Sequence, residues 1–237
     1  CNGSFRLGNS KISCYHGSNH GQVDFKKSFA KSCNSSFANI GMSLDREAFQ
    51  ETLNDLLFNK DLPLTLNYAK SSALVSESTP PAEMMQTSIG QGKTQITPMH
   101  LNMITCAIAN DGVLMKPYVI DRVENDEGTV VKSFKASEYG RLMSEDEAAI
   151  LRQLMTDVVQ EGTASKLKGL SYTAAGKTGS AEYNNVKGDS HAWFTGFAPA
   201  EDPEVCVTII VEGAGSGGDY AVPIARRIFD AYFSEKQ

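Results

Sequence analysis

The nine residues Ala174-Ala175-Gly176-Lys177-Thr178-Gly179-Ser180-Ala181-Glu182 bring two glycines, one lysine and two hydroxyl side chains into a single short strand. Glycine weakens a strand interior, and it marks places where a ligand or another backbone comes close. A cation flanked by hydroxyls on such a backbone suits an anionic, peptide-like ligand. The same residues also suit a polar edge strand whose lysine discourages aggregation. A Lys-Thr-Gly triplet alone leaves both readings open.

On the N-terminal side of this strand, Ser144 and Glu147 form a capping box. The helix they start runs to about Glu161, turns Ile150, Leu151, Leu154 and Val158 toward the core, and stops at Gly162. On the C-terminal side, residues 191–198 and 204–212 read as two more strands. The second is β-branched through Val205, Val207, Ile209, Ile210 and Val211. Turn residues separate the three, which predicts an antiparallel meander. After the glycine-rich 213–218, residues 220–233 form an amphipathic helix able to cover the sheet.

Farther upstream, Thr97-Pro98 opens a helix that Asn110-Asp111-Gly112 ends. Residues 115–123 and 129–134 read as two strands joined through Asn125-Asp126-Glu127-Gly128. Ser43 is placed as the cap of a helix from Leu44 to about Asn59, with Phe49, Leu53, Leu56 and Leu57 on one face. Residues 60–96 read as a long irregular connection with a turn at 88–92, and such loops are usually functional or partner-binding. Residues 24–31 read as a short helix. Helices first and a sheet late is the α+β pattern. The expected organisation is one domain over 1–237: an irregular stretch 1–23, a mainly helical part 24–170, and sheet plus C-terminal helix over 171–237.

Composition narrows the function classes. Hydrophobic residues are 41% and charged residues 21%, as in a soluble globular protein. A net charge of -6 without a long basic run excludes nucleic acid as an expected partner. No apolar run reaches the roughly 20 residues that cross a bilayer. The chain opens on Cys-Asn-Gly without an initiator methionine, so a processed or truncated piece is expected. The five cysteines, Cys1, Cys14, Cys33, Cys106 and Cys206, are not spaced as a disulfide framework. Cys106 and Cys206 read as small core residues. Cys1, Cys14, His16 and His20 are close enough in sequence for zinc, for a Cys1–Cys14 disulfide, or for no bond at all. The three alternatives stay open, and neither a cofactor nor a catalytic metal is expected.

A second weak signal changes the weight of the first. Ser32-Cys33-Asn34 lies between two helical pieces and, alone, reads as a loop or a helix cap. In this order, Ser-x-Asn followed by Lys-Thr-Gly matches two of the three motifs of penicillin-binding proteins and class A β-lactamases. Residues 29–38, Gly90-Gln91-Gly92 with Thr97-Pro98, Ala109-Asn110-Asp111-Gly112, Glu161-Gly162-Thr163-Ala164 and Ala192-Trp193-Phe194-Thr195-Gly196-Phe197 extend the match over most of 14–233. The chain therefore resembles a penicillin-binding transpeptidase domain of the class B-like, monofunctional kind.

The resemblance implies a β-lactamase/transpeptidase-like fold, an antiparallel sheet flanked by helices. It implies peptidoglycan stem peptides and β-lactams as ligands, at the extracytoplasmic face of a bacterial membrane. Ser32 would relay a proton to the leaving amine, and the Asn34 amide would hold the substrate backbone. Lys177 would attract the substrate carboxylate, Thr178 and Ser180 would bind it, and the Ser180 N–H would help form the oxyanion hole. Gly176 and Gly179 would leave room for a substrate lying along the strand as an added strand. His191 is left as a structural polar residue. Two readings compete: a serine β-lactamase or D,D-carboxypeptidase of the same superfamily, and a non-catalytic sensor or binding module.

The sequence departs from the family at the nucleophile. Its Ser-x-x-Lys element lies well upstream of Ser-x-Asn, and it is expected to lie before the first residue of this chain. Ser28-Phe29-Ala30-Lys31 and Ser165-Lys166-Leu167-Lys168 match by coincidence. The first sheet strands are expected to be missing too, leaving an edge that would associate with the N-terminal part of the same protein or with a second copy.

Overall fold

The computed structural model describes residues 1–184 and 189–236. In chain order the elements are β1 (Ser4–Leu7), β2 (Ser10–Ser13), α1 (Phe25–Ala30), α2 (Asn34–Ser43), α3 (Arg46–Asp55), α4 (Pro81–Thr87) and α5 (Pro98–Ala109). They continue with β3 (Val113–Met115), β4 (Arg122–Glu124), β5 (Val130–Ser133), β6 (Glu138–Arg141), α6 (Glu145–Glu161), β7 (Ala175–Glu182), β8 (Ser190–Ala198), β9 (Val205–Val211) and α7 (Val222–Ser234).

The α+β expectation holds. Strands β7, β8 and β9 form one antiparallel sheet in that order. Alternation along β7 divides its side chains between two faces. One face carries Lys177 and Gly179, opposite Thr195 and Trp193; the other carries Gly176, Thr178 and Ser180, opposite Gly196, Phe194 and Ala192. Helix α5 packs on the Lys177 face, where Thr105 and Thr195 share a buried hydroxyl hydrogen bond of 2.6 Å. Phe197, Ile108 and Met155 fill the space around it. On the other face Phe194 and Phe229 are fully buried with Val158, Val159 and Ala225. Each fully buried phenylalanine contributes about 2–3 kcal/mol of apolar burial. Two smaller cores, around Leu53, Phe58 and Met84 and around Leu57, Met103 and Leu114, hold the helical part together.

Local signals explain the best-read elements. The Ser144 hydroxyl accepts from the Glu147 N–H while the Glu147 carboxylate accepts from the Ser144 N–H, so the capping box is formed at α6. The Thr97 side chain caps α5 through the His100 N–H, with Pro98 at the first position.

Four expectations are corrected. Residues 1–23 are not irregular throughout: β1 and β2 pair as a hairpin, turning at Gly8 with φ +56°. Helix α3 is capped by Asp45, whose carboxylate accepts from the Ala48 N–H, because Ser43 is spent ending α2. The long connection 60–96 contains α4, started by Pro81 at a position where its missing N–H costs nothing. The predicted strand 115–123 is split. Met115 belongs to β3, which pairs with β6, whereas β4 pairs with β5 in an exposed hairpin. The Asn125 side chain accepts the Glu127 and Thr129 N–H groups and sets that turn.

Candidate active site

The site begins at the end of a short helix. The Ser32 N–H bonds the Phe29 carbonyl at 3.1 Å and the Cys33 N–H bonds the Ser28 carbonyl at 2.9 Å. This is the Schellman pattern, which calls for a left-handed residue where Ser32 stands, and that residue is usually glycine. Ser32 is left-handed, at φ +52°. A side chain there costs about 1–2 kcal/mol relative to glycine. Such strain at a polar residue is a mark of functional sites. In exchange, the turn aims the Ser32 hydroxyl across the cleft at β7.

There Lys177 Nζ donates to Ser32 Oγ at 2.9 Å and to the Thr178 carbonyl at 2.9 Å. It also stands 5.8 Å from the centre of the Phe29 ring. Burial pulls the Lys177 ammonium down to about 8, and among the described residues no carboxylate offsets it. A cation held without a counter-ion attracts an anionic ligand. The surrounding cleft measures about 660 Å³ and is lined by Ser32, Asn34, Gln91, Lys177, Gly179 and Trp193, among others. A second cleft of about 800 Å³ shares Asn34, Ile89, Gln91 and Ser180 with it, so open space continues past Asn34. The Asn34 amide donates to the Ser13 carbonyl at 3.1 Å, tying the turn to β2.

The structure therefore brings Ser32, Asn34, Lys177, Thr178, Gly179 and Ser180 to one cleft, with the two hydroxyls of β7 already engaged. Thr178 is buried and shares a hydrogen bond with Thr163. Ser180 Oγ accepts from the Gly217 N–H at 3.2 Å. Sequence reasoning assigns no role to Thr163, for which a hydroxyl just after a helix stop is the available signal. It also gave no role to Phe29 or Gln91.

The reading of Gly176 as space for a ligand is corrected. A Cβ at Gly176 would lie 2.4 Å from the Phe194 ring and 2.8 Å from the Thr195 carbonyl, so this glycine serves packing within the sheet. At Gly179 a Cβ would meet only Trp193, at 3.2 Å. The serine and the terminal lysine of each accidental Ser-x-x-Lys match are not among the residues that line the cleft. Ser28 is buried, and Lys31 Nζ donates to the Glu161 carbonyl instead of reaching it. Ser165 starts a single 3-10 turn, and Lys168 Nζ donates to the Gln160 carbonyl.

This geometry has an outcome that separates strain from hydrogen bonding. Ser32→Ala and Ser32→Gly both lose the bond to Lys177, and only the glycine relieves the left-handed strain. Ser32→Gly should be the more stable variant by about 1 kcal/mol in urea denaturation. Equal stabilities would place the turn elsewhere in conformational space.

A family model described as the penicillin binding protein transpeptidase domain matches residues 2–230. The chain belongs to this family. The penicillin-binding transpeptidase domain is 30% identical over 223 residues to "Peptidoglycan D,D-transpeptidase PbpA" of Mycolicibacterium smegmatis, covering 90% of this chain and 44% of that protein. It is 27% identical to "Peptidoglycan D,D-transpeptidase MrdA" of Acinetobacter baumannii, covering 89% and 34%. Among solved structures it is similar to the D,D-transpeptidase domain of a peptidoglycan glycosyltransferase from Eggerthella lenta. That match has a TM-score of 0.91 and 28% identity, over 99% of this chain and 59% of the other. The penicillin G acyl-enzyme complex of penicillin-binding protein A from M. tuberculosis matches with a TM-score of 0.85 and 28% identity, over 98% and 55%. The transpeptidase domain thus spans less than half the length of the curated relatives named here. Among its described residues, no helix is long and apolar enough to cross a membrane.

Proposed function

We propose that this chain supplies the substrate-holding part of a serine peptidoglycan D,D-transpeptidase. The observation that carries the reading is the Lys177–Ser32 hydrogen bond inside the cleft, with Asn34 on its wall. In this reading the anionic end of a D-alanyl-D-alanine stem lies near Lys177. Thr178 and Ser180 give up their present partners to bind it. The Asn34 amide leaves Ser13 to hold the peptide backbone, and the Ser180 N–H polarises the carbonyl under attack. The serine that attacks belongs to a Ser-x-x-Lys element outside this chain. Its attack on the penultimate carbonyl breaks the peptide bond and forms an ester, and Ser32 passes the proton to the departing D-alanine amine. Attack by an amine of a second stem then breaks the ester and forms the cross-link. β-Lactams occupy the same cleft by mimicking the stem, and the work is done at the extracytoplasmic face, a reading supported by relatives named for peptidoglycan. The names of those relatives favour the transpeptidase over the β-lactamase reading.

The outer edge of β9 supports the association proposal. It pairs with no further strand among the described residues. It fits an added strand from the same protein or from a second copy. Sedimentation velocity that finds a strict monomer at roughly tens of micromolar would remove the second copy.

The function itself is tested by titrating the chain with benzylpenicillin. Trp193 lines the cleft and is the single tryptophan, so its fluorescence reports occupancy. Saturable quenching without a covalent adduct by intact mass is expected. No binding up to about 10 mM would sink the proposal. An adduct that disappears in Ser28→Ala or Ser165→Ala would put the nucleophile inside this chain.

A further inference from the structure

Helix α5 and strand β9 meet on the Lys177 face of the sheet through a line of polar side chains. Thr105 shares a hydrogen bond with Thr195, which shares another with Thr208 at 2.7 Å. The Thr208 hydroxyl donates to Asn102 Oδ1 at 3.2 Å, and the Asn102 amide donates to Cys106 Sγ at 3.8 Å. The line ends on a second thiol, Cys206, which hydrogen-bonds Cys106. Sequence reasoning places both cysteines in the core, but each keeps part of its surface exposed.

The spacing explains why the two thiols meet. Asn102 and Cys106 are one turn apart on α5, a rise of about 6 Å. Thr208 and Cys206 are two residues apart on one face of β9, a step of about 7 Å. With Asn102 held against Thr208 and the helix running opposite to the strand, the next turn brings Cys106 to Cys206. Cys206 stands opposite Phe197 and packs with Phe197, Ile108 and Met155 on the α5 face. An added strand on the outer edge of β9 would use backbone groups and leave this face as it is. We propose that Cys106 and Cys206 are a disulfide pair that locks α5 to β9 in an oxidising compartment. The oxidising compartment rests on the extracytoplasmic transpeptidase reading; the contact between the thiols does not. The lock bears on the cleft. Leu101 of α5 lines it, and Thr195, which α5 holds through Thr105, stands opposite Lys177.

The two sulfurs have unequal roles. The Cys206 thiol and the Asn102 amide both donate to Cys106 Sγ. The hydrogen bond from Cys206 pulls the Cys106 thiol below its ordinary value, while that bond and burial push Cys206 up. Thiolate is the attacking form. Cys106 therefore loses its proton first and attacks one sulfur of an external disulfide such as oxidised glutathione. The external S–S bond breaks, one glutathione leaves with that proton, and a mixed disulfide remains on Cys106. Cys206 then attacks the Cys106 sulfur, the mixed disulfide breaks, and the second glutathione leaves with the Cys206 proton. Two protein thiols are oxidised, and one external disulfide is reduced to two thiols. The new bond closes a loop of about 100 residues, which restricts the unfolded chain.

The test does not depend on acyl transfer. The reduced chain is equilibrated with oxidised and reduced glutathione, blocked at its remaining thiols and digested with trypsin without reduction. Trypsin releases Cys106 and Cys206 in separate peptides that hold no other cysteine. Mass spectrometry should find these two peptides joined, and Cys206→Ser should instead keep glutathione on Cys106. Amide exchange at residues 102–109 and 205–208 should slow. The melting temperature should rise by roughly 10 °C, a gain that dithiothreitol removes and Cys106→Ser lacks. Free thiols or glutathione adducts at both positions, a link formed only after denaturation, or an equal rise in Cys106→Ser would overturn the pair. The unmodified chain supplies the joined peptides, so a misfolded variant does not shield the proposal. Trp193 reports benzylpenicillin independently, so failure of the transpeptidase reading and failure of the disulfide are told apart.

Discussion

Lys177→Met is expected to make the protein more stable and unable to hold its ligand. Burial that takes an ammonium from its ordinary value of 10.5 to about 8 opposes folding. By the usual conversion this is about 3 kcal/mol at neutral pH. Losing the hydrogen bond to Ser32 gives back about 1 kcal/mol. The variant should therefore unfold about 2 kcal/mol later in urea at about pH 7. The pH dependence carries a definite sign. Below pH 8 the lysine is charged in both states, so the parent protein bears the full penalty. Between pH 8 and 10.5 the folded state sheds its proton first and the unfolded state binds more, so stability rises with pH. The gap between parent and variant should close across that window; a constant gap would mean that the ammonium is solvated. Binding should move the other way. Removing the cation opposite a ligand carboxylate costs about 2–5 kcal/mol, at least roughly 30-fold in affinity for benzylpenicillin or an acyl-D-alanyl-D-alanine peptide. In the parent protein the same affinity should begin to fall above pH 8.

The second large effect separates the two glycines of β7. Gly176→Ala drives a methyl group into the Phe194 ring and the Thr195 carbonyl, and Phe194 is wholly enclosed. Overpacking of this kind costs about 3 kcal/mol, enough to lower the melting temperature by several degrees. Gly179→Ala meets a single side-chain atom at 3.2 Å and should cost less than about 1 kcal/mol. Its methyl group would instead occupy the cleft side of the strand, so ligand binding should fall while the fold survives. Equal melting temperatures for the two variants would mean that the packing around Gly176 is looser than described.

These variants show where sequence reasoning reached and where it stopped. The capping box at Ser144, the Thr97-Pro98 start and the β-branched run at 205–211 are local signals, and each became the expected element. The convergence of Ser32 and Lys177 was legible only as a pair of motifs, because residues 145 apart carry no local trace of contact. The role of Gly176 was misread for a related reason. A glycine that admits a ligand and one that admits a neighbouring ring look alike until the register with β8 is known. Asp45 displaced Ser43 as a cap because two adjacent helix ends competed for the same few residues.

The span between Ser32 and Lys177 also bears on how the protein comes into being. Bringing residues 145 apart together closes a long loop, whose entropy must be met before the contact returns anything. Folding rates fall as such non-local contacts increase. Helices α1 to α5 and their cores can assemble while the chain is still being made, but the cleft cannot. The strained turn at Ser32 waits, without its lysine, until the last hundred residues have emerged and the sheet has formed. The complete cleft is then among the last features this chain acquires, and a ribosome-bound intermediate would hold native helices around a site with no cation.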